Sequence, residues 1–282
     1  MKKGLILEGG AMRGMFTAGV LDVLMENNIE FDALVGVSAG ATFGCNYKSK
    51  QIGRTICYNK RFCRDKRYCS LKSLITTGDL YGAKFCYHTL PDELDVFDRK
   101  TFMENPVDFY VVCTDVSTGK PIYKKIEKCD YNDLEWMRGS ASMPLASRIV
   151  EVDGYKLLDG GISDSIPISF FEEKGYDKKV LILTQPIDFT KQKNPLTFLM
   201  KIFLRKYPMV IKAMEERHTS YNKTLEYIRK KEENGDIFVI RPGEKIAAKR
   251  IEHNPDKLEK AYQQGRNKAN AFLNDLKRYL EN

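Results

Sequence analysis

Three short segments carry residue types that could do chemistry. Val35-Gly36-Val37-Ser38-Ala39-Gly40-Ala41 places a serine in a G-x-S-x-G pattern, directly after an apolar run and directly before small, helix-compatible residues. That context predicts a tight strand-to-helix turn in which Gly36 and Gly40 remove colliding side chains and Ser38 is pushed out towards a substrate. Ala39 then offers a backbone N–H at a helix N-terminus, where the dipole favours a developing oxyanion. A second turn, Glu8-Gly9-Gly10-Ala11-Met12-Arg13-Gly14, also sits between an apolar run and a helical pattern. It fails the dinucleotide fingerprint because Ala11 stands where glycine is needed, and it fails the P-loop pattern because Met15 and Phe16 follow Gly14. What remains is a turn whose N–H groups, beside Arg13, suit an oxyanion as well as a phosphate. The third segment, Leu157-Leu158-Asp159-Gly160-Gly161, puts a carboxylate at a strand end where a glycine pair leaves room for a substrate. Alone, Asp-Gly-Gly is ordinary turn chemistry.

A serine nucleophile needs a base, and the chain has three histidines. His88 lies in a polar stretch, His218 in a charged helix and His253 before Asn254-Pro255, so none has a recognisable catalytic setting. The chain order Ser, Asp, His still permits a triad. Asp159 is the better partner for Ser38.

The elements that must position these residues alternate between apolar runs and helical patterns, which signals an α/β protein with a largely parallel sheet. Expected strands are Lys3–Leu7, Ala33–Val37, Asp108–Thr114, Pro121–Lys125, Tyr155–Leu158, Val180–Thr184 and Asp236–Ile240. Expected helices are Gly14–Asn27, Ala39–Tyr47, Tyr131–Ser140, Ile166–Lys174 and a long one within Pro208–Glu233. From Pro255, apolar residues from Leu258 to Leu280 recur at helical spacing after a capping Asn254, predicting a terminal amphipathic helix. Asp188–Arg205, broken by Pro186 and Pro195, reads as an inserted or flanking segment.

Composition removes several function classes. A net charge of +8 without blocks of like charge in 282 residues argues against a nucleic-acid partner, and 11% aromatic residues with regular apolar runs argue against disorder. Only Leu5, Ile6 and Leu7 follow the first lysines before Glu8, too few for a secretory signal, so the mature chain is expected to start here. The longest uncharged stretch, Ala33 to Tyr47, is shorter than the roughly 20 apolar residues of a membrane-spanning helix. Seven cysteines, an odd number, fit reduced thiols in a cytoplasmic protein, and the spacing of Cys57, Cys63 and Cys69 matches no short-gap zinc pattern. Phe189–Met214 contains no acidic residue, and Lys191, Lys193, Lys201, Arg205, Lys206 and Lys212 alternate there with leucine, isoleucine and phenylalanine. This segment reads either as a peripheral contact with an anionic membrane or as a helix packing its apolar side on the core, the second being favoured because surface helices routinely look so.

Taken in order, Gly9–Gly14, Gly36–Gly40 and Asp159–Gly161 resemble the patatin-like phospholipase family, with a Gly-rich oxyanion loop, a G-x-S-x-G nucleophile and a D-G-G/A aspartate. Ala141-Ser142-Met143-Pro144-Leu145-Ala146 is similar to the family's small-residue segment upstream of the aspartate, and the resemblance covers roughly residues 3–186. It implies a three-layer α/β/α sandwich with a mostly parallel sheet, an acyl hydrolase domain over residues 1–245 and a C-terminal helical segment over 246–282, packed on or beside it. It further implies a serine lipid acyl hydrolase of phospholipase A or lysophospholipase type, acting on a lipid or ester with a Ser38–Asp159 dyad and neither metal nor cofactor. The oxyanion hole would be drawn from Gly9, Gly10, Ala11, Met12, Arg13 and Gly14, helped by Ala39. Ala11 departs from the family's third glycine, which is tolerated unless its φ is positive. The competing readings are an α/β-hydrolase esterase with a Ser-Asp-His triad, and an anion- or nucleotide-binding regulator without turnover.

Overall fold

Side chains of the apolar runs alternate between two faces, as extended backbone requires. In β1 (Lys3–Leu7) Leu5 and Leu7 enter one core and Ile6 the other, and in β2 (Ala33–Val37) Leu34 joins the first while Ala33, Val35 and Val37 join the second. Strands apolar on both faces need cover on both, and helices supply it. The computed structural model describes residues 1–281. After β1 come α1 (Met15–Glu26), β2 and α2 (Ala39–Lys48). Next are α3 (Arg54–Phe62), α4 (Leu71–Thr77), a π-helical stretch Phe85–Leu94 and α5 (Arg99–Glu104). The chain continues through β3 (Asp108–Asp115), β4 (Pro121–Ile126), α6 (Tyr131–Ser140), β5 (Val150–Val152), β6 (Tyr155–Asp159) and α7 (Ile168–Glu173). It ends with β7 (Lys178–Ile182), α8 (Thr197–Phe203), α9 (Pro208–Glu233), β8 (Phe238–Ile240) and α10 (Pro255–Glu281).

The eight strands form one sheet in the order β5-β6-β3-β2-β1-β7-β8, with β4 paired to β3. Pairs among β3, β2, β1, β7 and β8 are parallel, whereas β4 and β6 run antiparallel to β3 and β5 antiparallel to β6. One face is covered by side chains of α1, α2, α3, α6 and α10, the other by α7 and α9. This is the three-layer α/β/α sandwich that the alternation predicts.

Helix α1 is buried over every residue from Met15 to Leu24, which a helix reaches only when apolar partners lie on opposite sides of it. The sheet is one and α10 the other. Their backbones touch where they cross: a Cβ on Gly265 would lie 2.0 Å from the Phe16 carbonyl oxygen, and one on Gly19 2.1 Å from that of Tyr262. Buried Asp22 accepts the Tyr262 hydroxyl at 2.6 Å, and Arg266 pairs with Glu26 at 2.8 Å.

The expected strand at Val180–Thr184 lies at Lys178–Ile182, because pairing with β1 starts at Lys3↔Lys178. Strand β5 was not expected, since its two buried valines flank an exposed Glu151 over only three residues. Helices α3 to α5 were also missed, and α3 shows why: its buried side includes Thr55 and Asn59, which blur the apolar period. Asp188–Arg205 is irregular up to α8, whose apolar side chains are not all packed. Met200 and Leu204 are buried, but Phe198, Ile202 and Phe203 are exposed, so packing on the core accounts for only part of this helix.

Gly265→Ala must push α1 and α10 apart, and overpacking of this kind costs roughly 1–3 kcal/mol. Urea unfolding should show a lower midpoint with unchanged slope, and an unchanged midpoint would mean that the two helices separate freely.

Candidate active site

The turn after β2 is strained as the sequence pattern demands. Ser38 has φ 55° and ψ −120°, a conformation that disfavours any side chain and persists only where surroundings over-determine it. Two features hold it. A Cβ on Gly40 would lie 2.4 Å from the Leu7 carbonyl oxygen, so only glycine lets α2 start this close to β1. The Ser38 N–H donates to Ser140 Oγ at 2.9 Å, and that hydroxyl donates to the Val112 carbonyl at 2.6 Å, bolting the turn to β3 through the end of α6.

Asp159 arrives from the opposite direction. Strand β4 occupies one edge of β3 from Phe109 to Thr114, so β2 and β6 share the other edge end to end. Val37 pairs with Val112 and Asp159 with the next residue, Cys113. Because β2 is parallel and β6 antiparallel to β3, both C-terminal ends meet at one gap. The Asp159 carboxylate accepts the Gly161 N–H at 2.7 Å and faces the Ser38 hydroxyl. Burial pushes its pKa up, opposed by the nearby Arg217 charge, the Ser38 hydroxyl, the Gly161 N–H and the Lys191 charge.

The Gly-rich turn folds as Ala11–Gly14, one turn of 3₁₀ helix leading into α1. Ala11 has φ 50°, so the alanine occupies the left-handed region that glycine favours. The Met12 N–H donates to the Arg250 carbonyl at 3.2 Å and the Arg13 N–H to the Gly10 carbonyl at 3.2 Å. The Gly10 and Ala11 N–H groups precede the first intrahelical donor and stay available, while Ala39 at the start of α2 is buried and is not among the residues that line the cavity. Met12 is buried in the core and Gly14 is packed against Phe43 and Ala39, away from the cavity. Just before the turn, the buried Glu8 carboxylate accepts the Thr184 N–H at 2.6 Å, the Thr184 hydroxyl at 3.0 Å and the Tyr221 hydroxyl.

Ser38 and Asp159 line a cavity of about 80 Å³ together with Gly9, Gly10, Ala11 and Arg13. Lys191, Arg217, Tyr221 and Arg250 complete it from the C-terminal half. These four and Glu8 were missed in the sequence, where Lys191 is one cation of a basic run and Arg217 one charge on a charged helix; no local pattern marks them. None of the three histidines lines the cavity. His88 pairs with Glu135 at 3.0 Å and His253 Nδ1 lies 2.6 Å from the Cys63 carbonyl. A larger groove of about 630 Å³ lies at the opposite ends of the strands, beside Lys3, Asp32 and Val107, and is lined by no serine, cysteine or histidine among the described residues. The small cavity is at the carboxyl ends of β1 and β2, where open α/β sheets bind ligands.

Residues 5–171 match the family described as Patatin-like phospholipase, and residues 207–281 match a Domain of unknown function (DUF6363). Over 282 aligned residues the chain is 30% identical to "Uncharacterized protein YjjU" of Escherichia coli, covering 95% of this chain and 76% of that protein. It is 25% identical to "Putative patatin-like phospholipase domain-containing protein M110.7" of Caenorhabditis elegans, covering 64% of this chain and 16% of that one. It is 28% identical to "Lysophospholipase nte1" of Aspergillus terreus, covering 62% and 11% respectively. The chain thus spans only a small part of the last two.

Ser140→Ala removes the acceptor of the Ser38 N–H while leaving every other side chain of the turn in place. An unsatisfied buried donor costs about 1–3 kcal/mol. Chemical denaturation should read that loss, and Ser140→Thr should restore part of it. Full stability in Ser140→Ala would show that the strained turn holds without α6.

Proposed function

The chain belongs to the patatin-like phospholipase family, and from that premise we propose that it is a serine lipid acyl hydrolase of phospholipase A or lysophospholipase type. The observation that carries this reading is the meeting of the strained Ser38 turn with buried Asp159 on one edge of β3. Ser38 Oγ attacks the ester carbonyl and Asp159 takes its proton. The oxyanion is received by the Gly10 and Ala11 N–H groups. Asp159 then gives the proton to the departing alcohol, leaving an acyl-serine. In the second half Asp159 takes a proton from water as it attacks the acyl carbon, then returns it to Ser38 Oγ as the acyl bond breaks and the fatty acid leaves. A carboxylate of ordinary basicity is a weak base for a hydroxyl, and the burial that raises Asp159 narrows the gap. In this reading residues 1–245 carry the acyl chemistry, and the C-terminal helical segment 246–282 supplies Arg250 and, through α10, braces α1. The triad alternative finds no histidine among the lining residues.

Ser38→Ala should abolish ester hydrolysis and fluorophosphonate labelling with the fold intact, and Asp159→Asn should lower turnover by orders of magnitude. As pH falls, Asp159 takes up a proton and ceases to act as base, so the acid limb of kcat/KM should lie above 3.8, the ordinary value of the group. A near-normal rate for Asp159→Asn, with a large loss on mutating His218 or His253, would transfer the role to histidine.

The partner proposed for α8 is an anionic lipid surface. Phe198 and Phe203 are 70% and 71% exposed and Ile202 is 54% exposed, an apolar patch flanked by exposed Lys193, Arg205, Lys206 and Lys212. Two cations of the basic run serve elsewhere: Lys201 pairs with Glu215 at 2.6 Å, and Lys191 turns into the cavity. Each cation near an anionic membrane contributes about 1 kcal/mol, so reversing Lys193, Arg205 and Lys206 to glutamate should weaken vesicle binding by about two orders of magnitude. Hydrolysis on anionic vesicles should fall far more than hydrolysis of a short soluble ester, and added salt should mimic the variant. Equal loss on both substrates would assign the segment to the fold.

A further inference from the structure

The cavity beside Ser38 carries more positive charge than its own chemistry uses. Four cations, Arg13, Lys191, Arg217 and Arg250, line it against two carboxylates, Glu8 and Asp159. Both carboxylates are already engaged with N–H and O–H donors: Glu8 with Thr184 and Tyr221, Asp159 with Gly161. Among the described residues no carboxylate lies within 4.0 Å of the charged nitrogens of Lys191, Arg217 or Arg250. Elsewhere Arg54 pairs with Asp95, Arg138 with Glu135 and Arg241 with Glu232, and buried Lys48 donates to the Val107 carbonyl at 2.6 Å. A sheltered cation without a counter-ion is costly, so Lys191 and Arg217, with the exposed Arg250 beside them on the cavity wall, call for an anion that comes from outside.

These three are held in place by independent devices. The Lys191 backbone is clamped to α9 by Asn222, which accepts its N–H at 2.8 Å and donates to its carbonyl at 3.0 Å, and its ammonium lies 3.9 Å from the centre of the Tyr221 ring. Arg217 lies one turn before Tyr221 on α9, its Nη2 packed over Gly161, and its buried Nε has no partner. The Arg250 carbonyl holds the Met12 N–H, which fixes this residue beside the Gly-rich turn. All three follow residue 171, outside the stretch that matches the patatin family.

We infer that Lys191, Arg217 and Arg250 form a phosphate subsite next to Ser38, which selects acyl lipids with a phosphomonoester head group over zwitterionic ones. This rests on the hydrolase reading and names its substrate class. The excess of positive charge matches a phosphomonoester, which carries about −1.5 to −2 at neutral pH, and not a head group whose own ammonium cancels its phosphate. Arginine binds phosphate through two parallel N–H donors, and Arg217 has a free Nε–H for that purpose. Burial, reinforced by Arg217, pulls Lys191 down to about 7, with Glu8 opposing and Arg250 and Arg13 adding to the fall, so this cation is lost as pH rises.

The test compares 1-acyl lysophosphatidate, the matching lysophosphatidylcholine and the matching monoacylglycerol in the same neutral detergent micelles. The wild-type protein should favour lysophosphatidate over lysophosphatidylcholine by roughly tenfold to a hundredfold in kcat/KM, the span of one or two charge-assisted hydrogen bonds. Lys191→Met and Arg250→Gln should bring that ratio towards one, and Arg217→Gln should do the same if it folds. Raising the pH from 6 to 8 should shrink the ratio in wild type but less in Lys191→Arg, which keeps its charge. A wild-type ratio near one, or a ratio that survives in both Lys191→Met and Arg250→Gln, overturns the subsite. A second arm titrates the Ser38→Ala protein with glycerol 3-phosphate and inorganic phosphate by calorimetry, with Lys191→Met added as control. Glycerol 3-phosphate bound more tightly than inorganic phosphate supports a head-group site. Equal binding without a lipid preference makes it a free-phosphate site and overturns the assignment. Turnover of the monoacylglycerol without preference sinks the subsite and leaves the hydrolase reading standing, whereas glycerol 3-phosphate binding with no ester turned over sinks the hydrolase reading and leaves a phosphate site.

Discussion

The edge of β3 is the constraint on which the site depends. Eight residues long, β3 outruns the five of β2, and the free length beyond Val112 is filled by β6 running the other way. Opposed strands on one edge bring two carboxyl ends to the same gap, which neighbouring parallel strands would space apart by a strand width. The Ser38 turn and Asp159 therefore come from segments more than a hundred residues apart without any flexible link between them. Gly160 shows how close the fit is, since a Cβ there would lie 2.1 Å from the Val112 carbonyl oxygen. The strain of Ser38 is tolerable because its N–H, the Ser140 hydroxyl and the Val112 carbonyl form one chain of hydrogen bonds across this junction.

Burial and charge act on Asp159 in opposite senses. Desolvation favours the neutral acid and so makes the carboxylate a stronger base, while Arg217 and Lys191 favour the charged form. In the proposed hydrolysis the same cations give up some basicity at Asp159 in exchange for electrostatic stabilisation of the reacting anions, which is usually the larger contribution to catalysis.

The parts of this arrangement that were legible in the sequence are the local ones. Lys3–Leu7 and Ala33–Val37 were readable because a continuous apolar run bounded by glycine turns has few other solutions, and Ser38 and Asp159 because their turns need glycine neighbours at fixed offsets. The cations were not legible, since Lys191, Arg217 and Arg250 converge only through tertiary packing and each sits in a sequence context full of exposed charge. Lys201 and Lys191 looked alike in the basic run, yet one pairs with Glu215 on the surface and the other lies on the Tyr221 ring. Helix α8 was legible only in part for a related reason: spacing reports which residues share a face but not whether anything covers it.

The C-terminal half does more than cover the sandwich, as the bonds to the Gly-rich turn show. Tyr221 on α9 donates to Glu8 immediately before the turn, and the Arg250 carbonyl takes the Met12 N–H inside it. Immediately after it, α1 is gripped by α10 through the Gly19 and Gly265 crossing. The turn is thus fixed before, within and after the residues whose N–H groups face the cavity. Ala11 at φ 50° would relax if any of these three restraints were absent, because nothing within the turn itself favours the left-handed conformation for alanine. The left-handed Ala11 is therefore held by α9, by the segment around Arg250 and by α10 together, so the shape of the turn depends on the C-terminal half being folded onto it.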